Sequence, residues 1–178
     1  ESGVLVITGG PGTGKTTLVQ AIIAAARQFE LKVRLMAPTG RAAKRLSLSS
    51  GVEADTIHKA LEAELHDSGR TFFNRNESDP LKEDLVIVDE ASMMDISLFY
   101  HLLCALKEGA RLILVGDIDQ LPPVGPGSPL KDLIEWGEVP VVRLEHIFRQ
   151  KEGSGIIDNA ARIREGELCY PDEEGEFS

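Results

Sequence analysis

Short apolar runs alternate with amphipathic stretches along most of the chain. The runs at residues 4–7, 85–88 and 111–115 have the length and composition of buried strands. After Lys15 and again after Asp95, apolar residues recur every three or four positions, as in helices with one face on a core. This alternation predicts βαβ units, hence an α/β fold with a parallel sheet and helices on both faces.

Shorter elements complete the predicted pattern. Residues 32–37 and 139–143 are expected to form strands, and a short helix is expected over residues 56–61. Another helix is expected to begin at Arg41. Residues 62–82 are polar and irregular, with two turn signals that contain glycine or proline.

Composition narrows the class of protein. The chain has 178 residues, of which 42% are hydrophobic and 27% charged, which suits one globular domain and leaves little for a second. No apolar run approaches the roughly 20 residues of a membrane span, and Cys104 and Cys169 are too few for a disulfide framework or metal cluster. We therefore expect a cytoplasmic protein without membrane partners. The net charge of −10 argues against coating nucleic acid with the whole surface, but leaves room for a local groove.

The first apolar run leads into a glycine-rich turn that has the pattern of a phosphate-binding loop. Gly9, Gly14, Lys15 and Thr16 satisfy G-x-x-x-x-G-K-[ST], in the strand–loop–helix context that this motif needs. Glycines let backbone N–H groups face a triphosphate, and the helix N-terminus favours its negative charge. Lys15 is expected to reach the β- and γ-phosphates of ATP, and the Thr16 hydroxyl to bind Mg²⁺. The predicted nucleotide-binding residues are Gly10, Pro11, Gly12, Thr13, Gly14, Lys15, Thr16 and Thr17.

Two further strand ends carry polar residues suited to hydrolysis. Asp89 follows four apolar residues and is expected to hold Mg²⁺, and Glu90 could orient or deprotonate the attacking water. Gln120, just beyond the next strand, could sense the γ-phosphate, although on its own it fits an ordinary loop glutamine. Arg149 could supply positive charge to the transition state, and a surface arginine fits it equally well.

Five motifs stand in order along the chain: GGPGTGKT (9–16), APTGRAAKRL (37–46), VDEAS (88–92), VGDIDQLPPVGPG (115–127) and IFRQ (147–150). Together they resemble superfamily 1 helicases, most closely the RecD-like branch that includes the α subunit of exodeoxyribonuclease V. The resemblance covers nearly the whole chain. It implies a RecA-like motor domain that moves 5′→3′ along single-stranded DNA at the expense of ATP.

The resemblance also implies roles for individual residues. Phosphates and Mg²⁺ would be bound by Gly12, Gly14, Lys15 and Thr16, with Asp89 on the metal and Glu90 as the catalytic base. The γ-phosphate sensors would be Gln120 and Arg149.

The resemblance implies DNA binding for the motif APTGRAAKRL (37–46) and for residues near it. Thr39 and His58 match family positions that contact the DNA strand. Arg41, Lys44 and Arg45 would add local positive charge, although a solvated helix face explains each of them as well.

The resemblance sets the expected domain boundaries. Residues 1–166 would be the first of two motor domains, and the acidic residues 167–178 would begin the linker to the second. Residues 62–82 occupy the place of a small β-hairpin that acts as a pin at the fork. Thr71-Phe72-Phe73 could be one of its strands, and a plain surface loop fits equally.

The expected partners are single-stranded DNA and, in the exodeoxyribonuclease branch, the subunits of a helicase–nuclease complex. The upstream glutamine segment that recognises adenine and the arginine of a second domain are absent. We therefore expect these 178 residues alone to hydrolyse ATP slowly or not at all, and not to unwind DNA.

Two alternatives remain open at the level of sequence. A loader or remodelling ATPase would use the same phosphate loop to rearrange proteins, and its hydrolysis would not depend on DNA. A non-enzymatic module would keep the fold for partner binding, against which stand Lys15, Thr16, Asp89 and Glu90.

Overall fold

The computed structural model describes residues 3–66, 69 and 71–146. Its strands, in chain order, are β1 (Val4–Gly9), β2 (Val33–Ala37), β3 (Ala54–Thr56), β4 (Ala63–Leu65), β5 (Thr71–Phe73), β6 (Leu85–Val88), β7 (Arg111–Gly116) and β8 (Val141–Leu144). Its helices are α1 (Lys15–Gln28), α2 (Gly40–Ser50), α3 (Ile57–Ala60), α4 (Ile96–Cys104) and α5 (Pro129–Trp136). Six strands form one parallel sheet in the order β3-β2-β6-β7-β1-β8, which confirms the predicted α/β class.

The core lies on both faces of this sheet, because successive strand residues point to opposite sides. Val86 packs with residues of α3, α4 and α5, whereas the next residue, Ile87, packs with residues of α1 and α2. Val6 and Ile7 divide between the two faces in the same way. Each such fully buried aliphatic side chain contributes about 1.5–3 kcal/mol, so the central strands anchor both layers.

Side-chain caps set the starts of three helices. The Asp95 carboxylate caps α4 by accepting a hydrogen bond from the Leu98 N–H at 2.8 Å. Thr39 caps α2 and Thr56 caps α3 in the same manner. These caps satisfy backbone donors that would otherwise be unpaired at the first helical turn.

Residues 62–82 contain the small hairpin implied by the resemblance rather than a plain surface loop. Strands β4 and β5 pair antiparallel, with Ala63 opposite Phe73 and Leu65 opposite Thr71. Arg75 forms ion pairs with Glu62 at 2.7 Å and with Asp79 at 2.8 Å, and so ties the base of the hairpin together.

Strand β3 is one of the elements that the apolar pattern did not predict. It has three half-buried residues at the edge of the sheet and pairs with β2, Leu35 opposite Ala54. Long-range bonds hold it, since Ser47 Oγ accepts from the Ala54 N–H at 2.8 Å and Asp55 pairs with Arg34 at 2.9 Å. A three-residue strand held by such partners has too little local signal to be recognised.

Several expectations concern residues outside the described part of the chain: the role of Arg149, the domain boundary at residue 166 and the linker over residues 167–178. Within the described part, no helix is long and apolar enough to span a bilayer.

Candidate functional site

Three adjacent strands bring the candidate residues to one edge of the sheet. β6, β7 and β1 are neighbours, so the ends that carry Asp89, Asp117 and the phosphate loop lie side by side. In open parallel sheets this edge is where ligands bind. A cavity of about 380 Å³ opens there, and it is lined by Pro11, Gly12, Thr13, Gly14, Lys15, Thr16, Thr17, Arg45, Ser49, Asp89, Glu90 and Gln120.

The loop has the backbone conformation that a phosphate cradle requires. Gly12 and Gly14 have φ values of 81° and 87°, in the left-handed region that favours glycine, and α1 begins directly afterwards. The Lys15 ammonium donates hydrogen bonds to the carbonyl oxygens of Gly9 at 2.6 Å and Gly10 at 2.8 Å, which closes the loop on itself. Thr13 Oγ1 also donates to the Gly10 carbonyl, at 2.8 Å. Of the predicted nucleotide-binding residues, Gly10 is thus the one that supports the loop without lining the cavity.

Asp89 is a buried carboxylate at the end of β6, only 9% exposed. Burial raises the pKa of the Asp89 carboxyl; the Glu90 N–H, which donates to Oδ1 at 3.0 Å, opposes the rise, and the Glu90 carboxylate adds to it. Arg45 and Lys15 also oppose it. A cation beside Asp89 would favour its ionised form.

The donor set fits Mg²⁺. The Thr16 hydroxyl and the Asp89 carboxylate are hard oxygen donors that line the same cavity, and Mg²⁺ in such sites keeps waters and binds substrate phosphates. Among the described residues, no three His, Cys, Asp or Glu side chains gather as a metal site. An ion at Thr16 and Asp89 would therefore complete its shell with phosphate and water.

Glu90 has an unusual setting. Its φ of 54° lies in the left-handed region, which costs a non-glycine residue on the order of 1 kcal/mol and is found most often at functional sites. Its Oε1 forms an ion pair with Arg45 Nη2. Its Oε2 is buried and has no hydrogen-bond partner among the described residues.

Arg45 is a residue of the nucleotide cavity that the sequence did not identify as such. We expected Arg45 either to add positive charge near a bound DNA strand or to lie on a solvated helix face. In the structure it lines the nucleotide cavity and pairs with Glu90. The two residues are 45 positions apart, so no local pattern connects them.

Gln120 lies on a turn set by a buried acid. Asp117, 3% exposed, accepts the Asp119 N–H at its carboxylate at 3.1 Å and the Gln120 N–H at its carbonyl at 3.2 Å. The Gln120 side chain lines the nucleotide cavity and also a second, larger cavity. It is therefore positioned between two separate sites.

The second cavity is a groove of about 970 Å³, and it brings together Thr39 and His58, the two residues that match strand-contacting positions. Thr39 Oγ1 also caps α2, accepting from the Ala42 N–H at 3.2 Å. Arg41 is exposed and does not line either cavity, so its role in binding stays a prediction.

An aromatic ladder runs through this groove. The ring of Phe73, on β5, lies 5.8 Å from that of His58 and 4.4 Å from that of His101, on α4. We did not anticipate Phe73 or His101 as site residues, because they become neighbours only when the hairpin packs against α4. The other lining residues are Pro38, Thr71, Met93, Asp95, Ser97, Leu98, Leu121, Pro122, Pro123, Val124 and Gly125, with Gln120 at the boundary.

Comparison with known proteins identifies relatives for almost the whole chain. The ATP-dependent RecD2 DNA helicase of Deinococcus radiodurans is 43% identical over 164 residues, which cover 92% of this chain and 22% of the relative. The RecBCD enzyme subunit RecD of Mycolicibacterium smegmatis is 35% identical over 193 residues, covering 95% of this chain and 34% of the relative. The chain thus spans only about a fifth to a third of these relatives.

Solved structures show the same fold. The Pif1 helicase from Candida albicans superposes with a TM-score of 0.62 at 26% identity, covering 93% of this chain and 42% of that chain. Bacteroides sp Pif1 in complex with ADP-AlF4 gives a TM-score of 0.59 at 22% identity, covering 92% and 43%. Both likenesses confirm the RecA-like motor fold.

A family model described as an AAA domain matches residues 1–171. The chain therefore belongs to the AAA domain family, and its resemblance to RecD-like superfamily 1 helicases is confirmed.

Proposed function

We propose that this chain is the ATP-hydrolysing motor domain of a 5′→3′ DNA helicase or translocase that acts on single-stranded DNA. The observation that carries the proposal is the position of Gln120, whose side chain lines both the phosphate-loop cavity and the groove of Thr39 and His58. A side chain shared by two sites gives each site a means of sensing the other.

Five residues of the nucleotide cavity would take part in the chemistry of hydrolysis. Lys15 would bind the β- and γ-phosphates, and Thr16 and Asp89 would hold Mg²⁺, which neutralises phosphate charge when bound. Glu90 would accept a proton from water as the water oxygen bonds to the γ-phosphorus and the bond to the bridging oxygen of ADP breaks. Gln120, and Arg149 beyond the described residues, would contact the γ-phosphate.

The groove suits a single strand whose bases are unstacked. Aromatic rings offer stacking surfaces that accept any base, each worth about 1–3 kcal/mol, and the groove presents Phe73 between two histidines. Thr39 at the start of α2 suits a backbone phosphate. No Lys or Arg stands among the described lining residues, so stacking would dominate over ion pairing here.

The hairpin β4–β5 has a place in this proposal. It supplies Thr71 and Phe73 to the groove wall, where a strand-separating pin would contact the nucleic acid. We propose this role for the hairpin within residues 62–82.

The relatives suggest the setting in which this domain works. By name they include an ATP-dependent RecD2 DNA helicase and RecD subunits of RecBCD enzymes. We therefore propose a cytoplasmic DNA-processing protein that works either alone or within a helicase–nuclease complex. We propose that residues 1–166 are the first of two motor domains and 167–178 the start of a linker. Without the second domain the segment should hydrolyse ATP weakly and unwind nothing.

The proposal is tested by ATP hydrolysis in the intact protein with and without oligo-dT, with wild type beside Glu90→Gln. Strong stimulation by the strand that disappears in Glu90→Gln is the expected result. Equal rates with and without the strand would contradict a strand-driven motor and favour the loader or remodelling class. Inability of the wild type to bind Mg-ATP would favour a non-enzymatic module.

A further inference from the structure

One oxygen of the Glu90 carboxylate is engaged by another side chain, and the other is enclosed by protein. Oε1 is paired with the Arg45 guanidinium, and Oε2 is buried without a hydrogen-bond partner among the described residues. A general base must come within hydrogen-bond reach of the water that it deprotonates. The arrangement is therefore that of a resting base.

Arg45 is free to leave this contact, whereas Glu90 is not. The Arg45 side chain is 67% exposed, whereas the Glu90 side chain is 15% exposed and lies just beyond the end of β6. The ion pair is open to solvent on its Arg45 side, and solvent weakens the attraction in such pairs, so a modest change at Arg45 is enough to open it.

Helix α2 connects this contact to the groove. Thr39, which caps the helix, lines the groove, and Arg45, on the same helix, lines the nucleotide cavity. The helix packs on the core through the buried side chains of Ala42, Ala43 and Leu46. Because a short helix moves as a unit, a displacement at its Thr39 end is transmitted to Arg45.

We propose that Arg45 is a positioning residue that holds Glu90 in its resting arrangement, and that occupation of the groove at the Thr39 end of α2 releases it. This inference rests on the proposed function, since it requires Glu90 to be the base and the groove to hold a strand. It adds a second connection between the two sites, through α2, beside the one through Gln120.

The test is steady-state ATP hydrolysis by the intact protein, with and without oligo-dT, for wild type, Arg45→Ala and Arg45→Lys. Arg45→Ala should raise the kcat measured without oligo-dT on the order of tenfold and leave the KM for ATP nearly unchanged. It should also reduce the factor by which oligo-dT stimulates hydrolysis. Arg45→Lys, which retains the charge, should restore most of the strand dependence.

The control is Lys131→Ala, which removes a surface ion pair with Glu135 on α5, away from both cavities, and should behave as wild type. Binding of a non-hydrolysable ATP analogue is measured on each variant. A fall of the strand-free and strand-stimulated rates in equal proportion, with normal analogue binding, would show that Arg45 orients Glu90 for catalysis and would overturn the inference. Loss of analogue binding in Arg45→Ala would overturn it too, by making Arg45 a nucleotide ligand.

The wild-type protein tests the proposed function, whereas the Arg45 variants test the present inference, so the two failures can be told apart. If the wild-type protein shows no hydrolysis with the strand present, both the proposed function and this inference fail. If the wild type is strand-stimulated, the Arg45 variants decide the inference alone.

Discussion

The rings of Phe73 and His101 stack with their centroids 4.4 Å apart and their planes inclined by 32°. Phe73 belongs to the hairpin strand β5 and His101 to α4 of the motor core, so this contact attaches the hairpin to the core. The same contact forms part of the groove wall. This pair of residues therefore contributes both to the attachment of the hairpin and to the shape of the proposed DNA-binding groove.

Phe73→Ala should weaken binding of oligo-dT by about tenfold or more, because base stacking on an aromatic side chain is worth about 1–3 kcal/mol. Fluorescence anisotropy with a labelled oligonucleotide measures the loss. Phe72→Ala is the matched control, since Phe72 precedes it on the same strand, is exposed, and is not among the residues lining the groove. Equal losses in the two variants would mean that the groove does not stack bases.

Arg41→Ala tests a contact outside the groove. If the exposed Arg41 side chain binds a strand phosphate, its removal should lower the slope of log K against log salt by about one and weaken binding of all sequences alike. The measurement is a salt titration of oligo-dT affinity, with Lys131→Ala as the control. An unchanged slope would show that Arg41 belongs to a solvated helix face.

Gly9→Ala should disrupt the phosphate loop, because there is no room for a Cβ at residue 9. A Cβ at Gly9 would stand 2.6 Å from the Leu144 carbonyl oxygen of β8 and 2.8 Å from Thr13 Oγ1, and the strand backbone cannot move aside cheaply. We expect a loss of about 1–3 kcal/mol in the free energy of unfolding, together with weaker nucleotide binding. Thermal unfolding and nucleotide titration measure the two effects.

Gly40→Ala is the control for that substitution. Its Cβ would meet nothing within 4 Å, and it stands at the start of α2, so it should be neutral or slightly stabilising. Comparable damage from both substitutions would indicate that the close approach at Gly9 is not the cause.

Asp89→Asn should raise the thermal stability of the metal-free protein at neutral pH, by a few degrees at most, on the order of 1 kcal/mol. Burial raises the pKa of Asp89 in the folded state, so the folded protein binds this proton more tightly than the unfolded chain. The ionised Asp89 carboxylate therefore lowers the free energy of unfolding. This loss begins as pH rises past the pKa of Asp89 in the unfolded chain, is complete above the raised pKa of the folded state, and disappears in acid. The increase in stability caused by Asp89→Asn should show the same dependence on pH.

Asp84→Asn should change thermal stability in the opposite direction to Asp89→Asn in the same measurement. The hydrogen bond from Lys107 is the largest cause that lowers the pKa of Asp84, so its ionised form stabilises the fold above its unfolded pKa. That contribution is lost as pH falls through the lowered value, and Asn should therefore destabilise at neutral pH. If both variants moved stability in the same direction, the burial of Asp89 would not be the cause of its effect.

The apolar pattern was sufficient for the framework of the sheet. Strands such as β6 and β7 are continuous apolar runs, and the spacing of α1 and α4 is regular, because each of these elements buries residues set by its own period. The phosphate loop was equally recognisable, since its glycine conformations and its helix start depend on adjacent residues.

The contacts between distant segments could not be derived in this way. Arg45 pairs with Glu90, and Phe73 pairs with His101. The two members of each pair belong to different elements, so no local pattern connects one to the other. The short strand β3 is similar, because Ser47 and Arg34 hold it from outside its own segment.

The sequence by itself therefore determined the α/β class, the phosphate loop and the acidic residues at the ends of the strands, because these follow from local periodicity and backbone chemistry. The tertiary structure decided that Gln120 borders two cavities, that an aromatic ladder lines the groove and that Arg45 holds Glu90. These depend on how the layers pack on the sheet, and packing is a property of distances between segments that no single segment encodes.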